Sequence, residues 1–244
     1  MRNTWNKRLW GGRGVLVVFG LVVLAALGVC GAPAPARADD KSDSEQLVEK
    51  ARLTLDAFVN DSQMRDPLRS LLANVKGVLI YPQVLRGSFI FGVSGGSGVF
   101  LARDEKAKQW GGPAFYTIGE ASFGLQAGAD ASEIVLVALT ERGVSALLSP
   151  STKLGVDTAI AAGPVGAGAS ASTAGLSADI VSYTRTKGVY AGVSAQGAIV
   201  GTRDALNRAY YGQAVSPTDI LIRRTVSNPQ AAGLIQALTQ AGGK

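Results

Sequence analysis

Histidine is absent from all 244 residues, and cysteine occurs once, at Cys30. The first absence removes the Ser-His-Asp and Cys-His nucleophiles, the histidine general base and the histidine-ligated zinc site. The second removes any intrachain disulfide. Acids are missing from the first 38 positions, which carry Arg2, Lys7, Arg8, Arg13 and Arg37. Beyond that segment 19 bases face 18 acids, so the formal net charge of +6 is local. It creates no bulk field for nucleic acid. No G-x-x-x-x-G-K-[ST] stretch is present, which argues against a P-loop nucleotidase. No repeat of solenoid length is visible either. No metal or cofactor is expected, and most familiar enzyme chemistry is gone.

What is present begins with an address. The basic residues of 1–13 precede an 18-residue apolar run, Val15–Ala32, and then Pro-Ala-Pro-Ala-Arg-Ala. This is the layout of a secretory signal over residues 1–38, with cleavage between Ala38 and Asp39. Two alternatives stay open: an uncleaved anchor, since 18 residues is near the lower limit of a membrane span, and acylation of Cys30 in a lipobox-like Leu27-Gly28-Val29-Cys30. Each route exports residues 39–244, to a periplasmic, envelope-associated, lipid-anchored or secreted location.

Those residues read as one α+β domain. Ser42-Asp43-Ser44-Glu45 has the form of a capping box, followed by an apolar stripe at Leu47, Val48, Ala51, Leu55, Phe58 and Val59. Asp66-Pro67 opens a second helix with the stripe Leu68, Leu71, Leu72 and Val75, and Gly77 is its expected stop. Glycine then rises to 25 of 206 residues, about 12% against a usual ~7%. Val78–Tyr81 reads as a strand stopped by Pro82, and Gly87–Val93 with Val99–Arg103 as a hairpin turning at Ser94–Gly98. Further strands are expected at 114–128, 133–139, 179–186 and 188–200. Short helices are expected from Thr140-Glu141 and Asp204, and a C-terminal helix from Ser227-Asn228-Pro229 with Leu234, Ile235 and Leu238 inward. The expected architecture is antiparallel β-sheet, sandwich or barrel-like, with helices from both ends packed against it.

Several chemical motifs fail on their context. Gly92-Val93-Ser94-Gly95-Gly96 has nucleophile-elbow spacing, but that motif needs a histidine base and a strand-to-helix turn. Gly166–Ala171 is a loose dinucleotide fingerprint with no helix pattern behind it. Glu120, Asp130, Glu133, Asp157 and Asp179 would allow a carboxylate-dependent hydrolase, most simply through Glu120 or Asp157; solvated acids and caps are the commoner reading. Two surface readings remain. The first helix would lie on a bilayer with Lys50 and Arg52 among phosphates, or pack its stripe on the sheet. Arg65, Arg69, Lys76 and Arg86 would form an anion patch, or remain solvated charges.

The motifs also carry a family likeness. Lys76–Pro82, Gly87–Gly92, Pro113–Tyr116, Leu154–Asp157, Ala161–Gly166, Ser182–Gly192 and Asn207–Gly212 resemble, in order, the blocks of the SYLF domain, which is also known as a Ysc84-type actin-binding domain. They span residues 76–212. The resemblance implies a non-enzymatic module that binds phosphoinositides and other anionic phospholipids, with an actin-binding role in fungal relatives and export in bacterial ones. It implies anionic phospholipid membranes as partner, and on charge the candidate contacts are Lys41, Lys50, Arg52, Arg65, Arg69, Lys76, Arg185 and Lys187. The alternative is an envelope structural or protein-interaction module.

Overall fold

The apolar stripes and glycine-rich runs assemble into a curled sheet with helices packed on both of its faces. The computed structural model describes residues 36–88, 91–104, 106–123, 128–163, 178–186, 189–191 and 195–243. The chain divides into residues 1–36 and 37–244, and the second unit is the one considered below. Cys30, Lys187 and the Gly166–Ala171 fingerprint lie outside the described residues.

Helix α1, Ala36–Asn60, is followed by α2, Arg65–Leu72. Four long strands come next: β1 Gly77–Ser88, β2 Phe91–Arg103, β3 Trp110–Phe123 and β4 Gly128–Ala138. Helix α3, Glu141–Leu148, precedes the short strands β5 Ser151–Lys153 and β6 Ile160–Ala162. Then come β7 Ile180–Thr186, β8 Val189–Ala191, β9 Ile199–Thr202 and α4 Asp204–Tyr211. A π-helical turn at Asp219–Arg223, a 3-10 turn at Pro229–Ala231 and α5, Ala232–Ala241, close the chain. The strand order is β5-β9-β3-β2-β1-β4-β7-β6, with β8 also on β7; every pairing is antiparallel except β6 with β7. The result is the expected α+β class, its sheet curled into a half-barrel.

Each face of the sheet carries a buried core. On the outer face Val78, Ile80, Val99, Leu101, Val135 and Val137 pack under the stripes of α1, α2 and α5. On the inner face Leu79, Tyr81, Phe100, Tyr116 and Leu136 pack with α3 and with Ile220 and Leu221 of the π turn. Strand alternation sends neighbours to opposite faces, which is why the central strands read as continuous apolar runs.

Four local expectations are corrected. α1 begins at Ala36, so Ser42 lies inside the helix instead of capping it; Ser44 is buried, its hydroxyl donating to Lys41 O at 2.7 Å. α2 ends at Leu72, and Gly77 starts β1. Pro82 does not end β1 but sits in a β-bulge, where a missing N–H is tolerated, and the strand runs on to Ser88. The Ser94–Gly98 run is accordingly no turn. It forms the middle of β2, opposite the bulge, and Tyr81 crosses it so that its hydroxyl donates to Thr117 O at 3.3 Å. A Cβ on Gly98 would lie 2.5 Å from both Ile80 O and Tyr81 Cδ1, so glycine is required by close approach. Gly98→Ala is expected to lower stability by about 2–3 kcal/mol in urea unfolding, the cost of overpacking. Gly87→Ala, which has nothing within 4 Å of its Cβ, should be nearly neutral.

Candidate functional site

The described basic residues among those expected to contact lipid do not all converge on one surface. Lys41 lies on α1, 3.9 Å from Glu45, and the proposed cleavage pair Ala38 and Asp39 is in the first turn of the same helix. Arg52 is engaged by Glu49 at 2.6 Å and Asp56 at 2.7 Å, and its hydrogen bonds draw the Glu49 carboxyl below its usual range. Arg65 donates to Asn60 O at 3.1 Å, while Arg69 stands exposed on α2. Arg86 is on the inner face beside Glu120, so the sequence patch Arg65, Arg69, Lys76 and Arg86 is not assembled. Lys50 and Arg185 do meet. They line one open groove of about 570 Å³ with half-exposed Leu53, but Glu133 stands in it and pairs with Arg185.

The stripe of α1 is in the core. Val48, Leu55, Phe58 and Val59 are at most 6% exposed, and burial of such side chains contributes about 1.5–3 kcal/mol each. Transfer of the helix to a bilayer would rebury its own stripe but expose the sheet face beneath. The packed arrangement is therefore favoured, and α1 carries four bases against six acids along its length.

A second groove, of about 310 Å³, concentrates positive charge. Lys76 enters from the start of β1, Arg103 and Lys106 from the end of β2 and the loop after it, and Arg224 from the residue after the π turn. The guanidinium groups are fixed by main-chain acceptors: Arg103 donates to Ala73 O at 2.8 Å and Arg224 to Gln109 O at 3.1 Å. Two acids share the groove, Glu141 at 3.7 Å from Lys76 and Asp104 at 3.5 Å from Arg224. Asp104 also shapes the loop. It accepts from the backbone N–H groups of Ala107 and Lys106, which hold its carboxyl below the usual range. Glu105 lies outside the described residues. The groove has an apolar side as well, formed by Val144, Leu221 and Ile222, the last of these 52% exposed. Sequence reading found only Lys76 of the four bases. The available signal was Arg223-Arg224 directly after an apolar Ile-Leu-Ile, but its proximity to Arg103 is set by the fold.

The acids weighed for catalysis have structural partners or stand apart. Glu120 pairs with Arg86 at 3.2 Å, and Asp157 accepts from Lys153 N at 2.6 Å. Asp179, buried, ties α3 to the sheet: it accepts from Thr140 Oγ1 at 2.7 Å, Arg142 Nε at 2.9 Å and Ala159 N at 3.0 Å. Burial alone would raise its pKa, but these donors together hold it below the usual value. Ionised Asp179 thus stabilises the fold above the ordinary carboxyl range near 4, and that contribution fades as pH falls through the lower folded value. Asp179→Asn is expected to cost about 2–3 kcal/mol at pH 7 by urea unfolding, with the gap to the parent narrowing below about pH 4.

Comparison with known proteins places the chain in a family. The Ysc84 family model, described as Las17-binding protein actin regulator, matches residues 119–241, half of the chain. Protein YSC84 of Saccharomyces cerevisiae is 33% identical over 199 residues, 78% of this chain and 42% of its own length. LAS seventeen-binding protein 3 of the same yeast is 31% identical over 78% of this chain and 43% of its own. The human SH3 domain-containing YSC84-like protein 1 is 31% identical over 81% and 59% respectively. The chain thus spans about half the length of these relatives. It belongs to the Ysc84 family of SYLF-domain proteins.

Proposed function

We propose that this chain is a non-enzymatic, exported module that attaches to membranes containing anionic phospholipid, phosphoinositide-like headgroups included, in the cell envelope. The observation that carries the reading is the groove in which Lys76, Arg103, Lys106 and Arg224 converge from three separate stretches beside exposed Ile222. Phosphates would meet the fixed guanidinium groups, and Ile222 would reach the acyl boundary. Each base near an anionic surface contributes about 1 kcal/mol, and the two acids offset part of it, so attachment is moderate and salt-sensitive. Lys50 and Arg185 are secondary contacts, weakened by Glu133. Lys41 and Arg52, paired with acids of their own helix, add little.

A second reading, a protein partner of the kind that the family description names, is favoured by a different surface. Leu85 and Val93, 55% and 64% exposed, stand on the outer sheet face, where Ala131 beside Leu85 borders the groove of Lys50 and Glu133.

Co-sedimentation of the full chain with neutral and anionic vesicles, at low and high salt, separates the two. Attachment should require anionic lipid and fade in high salt. Lys106→Glu with Arg224→Glu should weaken it at least tenfold, and Lys50→Glu should change it little. Equal binding to both vesicles, or an unaffected double variant with an unchanged unfolding midpoint, would sink the lipid reading and turn the search to Leu85 and Val93.

A further inference from the structure

The inner face of the half-barrel holds a separate cavity. Cross-strand pairs place Asp130 beside Arg86, Arg86 beside Ser94 and Ser94 beside Glu120, one row over β4, β1, β2 and β3. The row borders a cavity of about 220 Å³. Ser132 and Thr186 complete its polar wall, their hydroxyl oxygens 2.7 Å apart, and Val84, Ile118 and Ile134 give it an apolar lining.

The charges in this row do not balance. Arg86 Nη2 donates to Glu120 Oε2 at 3.2 Å, and Asp130 on its other side has no ion pair among the described residues. One guanidinium between two carboxylates leaves one negative charge among the described residues of the row, at the solvent-facing rim of the cavity. The missing counter-charge is a single cation. An inorganic ion would leave the apolar lining without a partner, and a divalent one wants six or more oxygens while Arg86 repels it. A carboxylate or phosphate would meet net negative charge.

We propose that this cavity is a binding site for a small organic ammonium ion. Its N–H groups donate to Asp130 and to the hydroxyls of Ser132 and Thr186, while its short alkyl part lies against Ile118 and Ile134. The site is independent of the cationic groove: it takes ligands of the opposite charge, on residues that do not touch that groove.

The probe is n-butylammonium, titrated calorimetrically into the full chain, with n-butanol, butyrate, sodium and magnesium as comparators. Butylammonium should bind, and butanol and butyrate at least tenfold more weakly. Asp130→Asn should weaken the ammonium roughly tenfold, the order of one lost charge-assisted hydrogen bond. Ala195→Leu, which narrows the cavity from its wall, should weaken it as well, and both variants should keep the parent's unfolding midpoint. Butanol binding as well as butylammonium, sodium or magnesium competing at equal concentration, or an Asp130→Asn protein that binds unchanged would each overturn the site.

Discussion

The register shift of β1 at Pro82 is the constraint on which the rest of the sheet depends. β1 is central, paired on both sides, and a proline there lacks the N–H that a regular ladder would use. The bulge absorbs this and exchanges the faces of the following residues. Leu79 and Tyr81 point inward before it, and Val84 and Arg86 point inward after it. Without the shift, Arg86 would face outward and the inner cavity would lose its guanidinium. The neighbouring strand has adapted to the same event. Gly96 and Gly98 face the bulged backbone and the Tyr81 ring, where even one methyl group has no room.

This explains why some of the fold was legible in the sequence and some was not. Stripes at helical spacing located α2 and α5, because amphipathic burial is a local pattern, and Asp204 marked the start of α4. Thr140 was readable as a cap, and its hydroxyl accepts from Gly143 N at 3.0 Å. Ser94–Gly98 misled because glycine marks both turns and close approaches, and only the long-range position of Tyr81 distinguishes them. The capping box at Ser42 misled for a similar reason: the same residues are compatible with a helix interior. The cationic groove was the least legible feature. Its bases lie up to 148 residues apart, and no window of sequence brings Lys76 and Arg224 together.

Electrostatics divides the molecule in a way that composition conceals. Beyond residue 38 bases and acids nearly cancel, yet α1 is acid-rich, the groove at the end of β2 is base-rich, and the inner cavity retains an extra carboxylate. A near-neutral module can therefore present surfaces of opposite preference. The family resemblance supplies the class of protein, while these surfaces decide which contacts this chain is equipped to make. Protein YSC84, of which this chain covers 42%, has further regions of its own.

The edge of β3 has a consequence for how the protein behaves in a crowded compartment. β9 pairs only with Tyr116–Gly119, which would leave the preceding half of β3 with open main-chain groups. Helix α4 and the π turn occupy that position instead. Asn207 Oδ1 accepts from Phe115 N at 2.9 Å, Arg203 N donates to Phe115 O at 2.8 Å, and Leu221 O lies so close to Gly111 that no side chain fits between. A side-chain amide thus imitates the strand that is missing. The edge offers no ladder to a stray β-segment, so a sheet this long and this glycine-rich is guarded there against edge-to-edge aggregation.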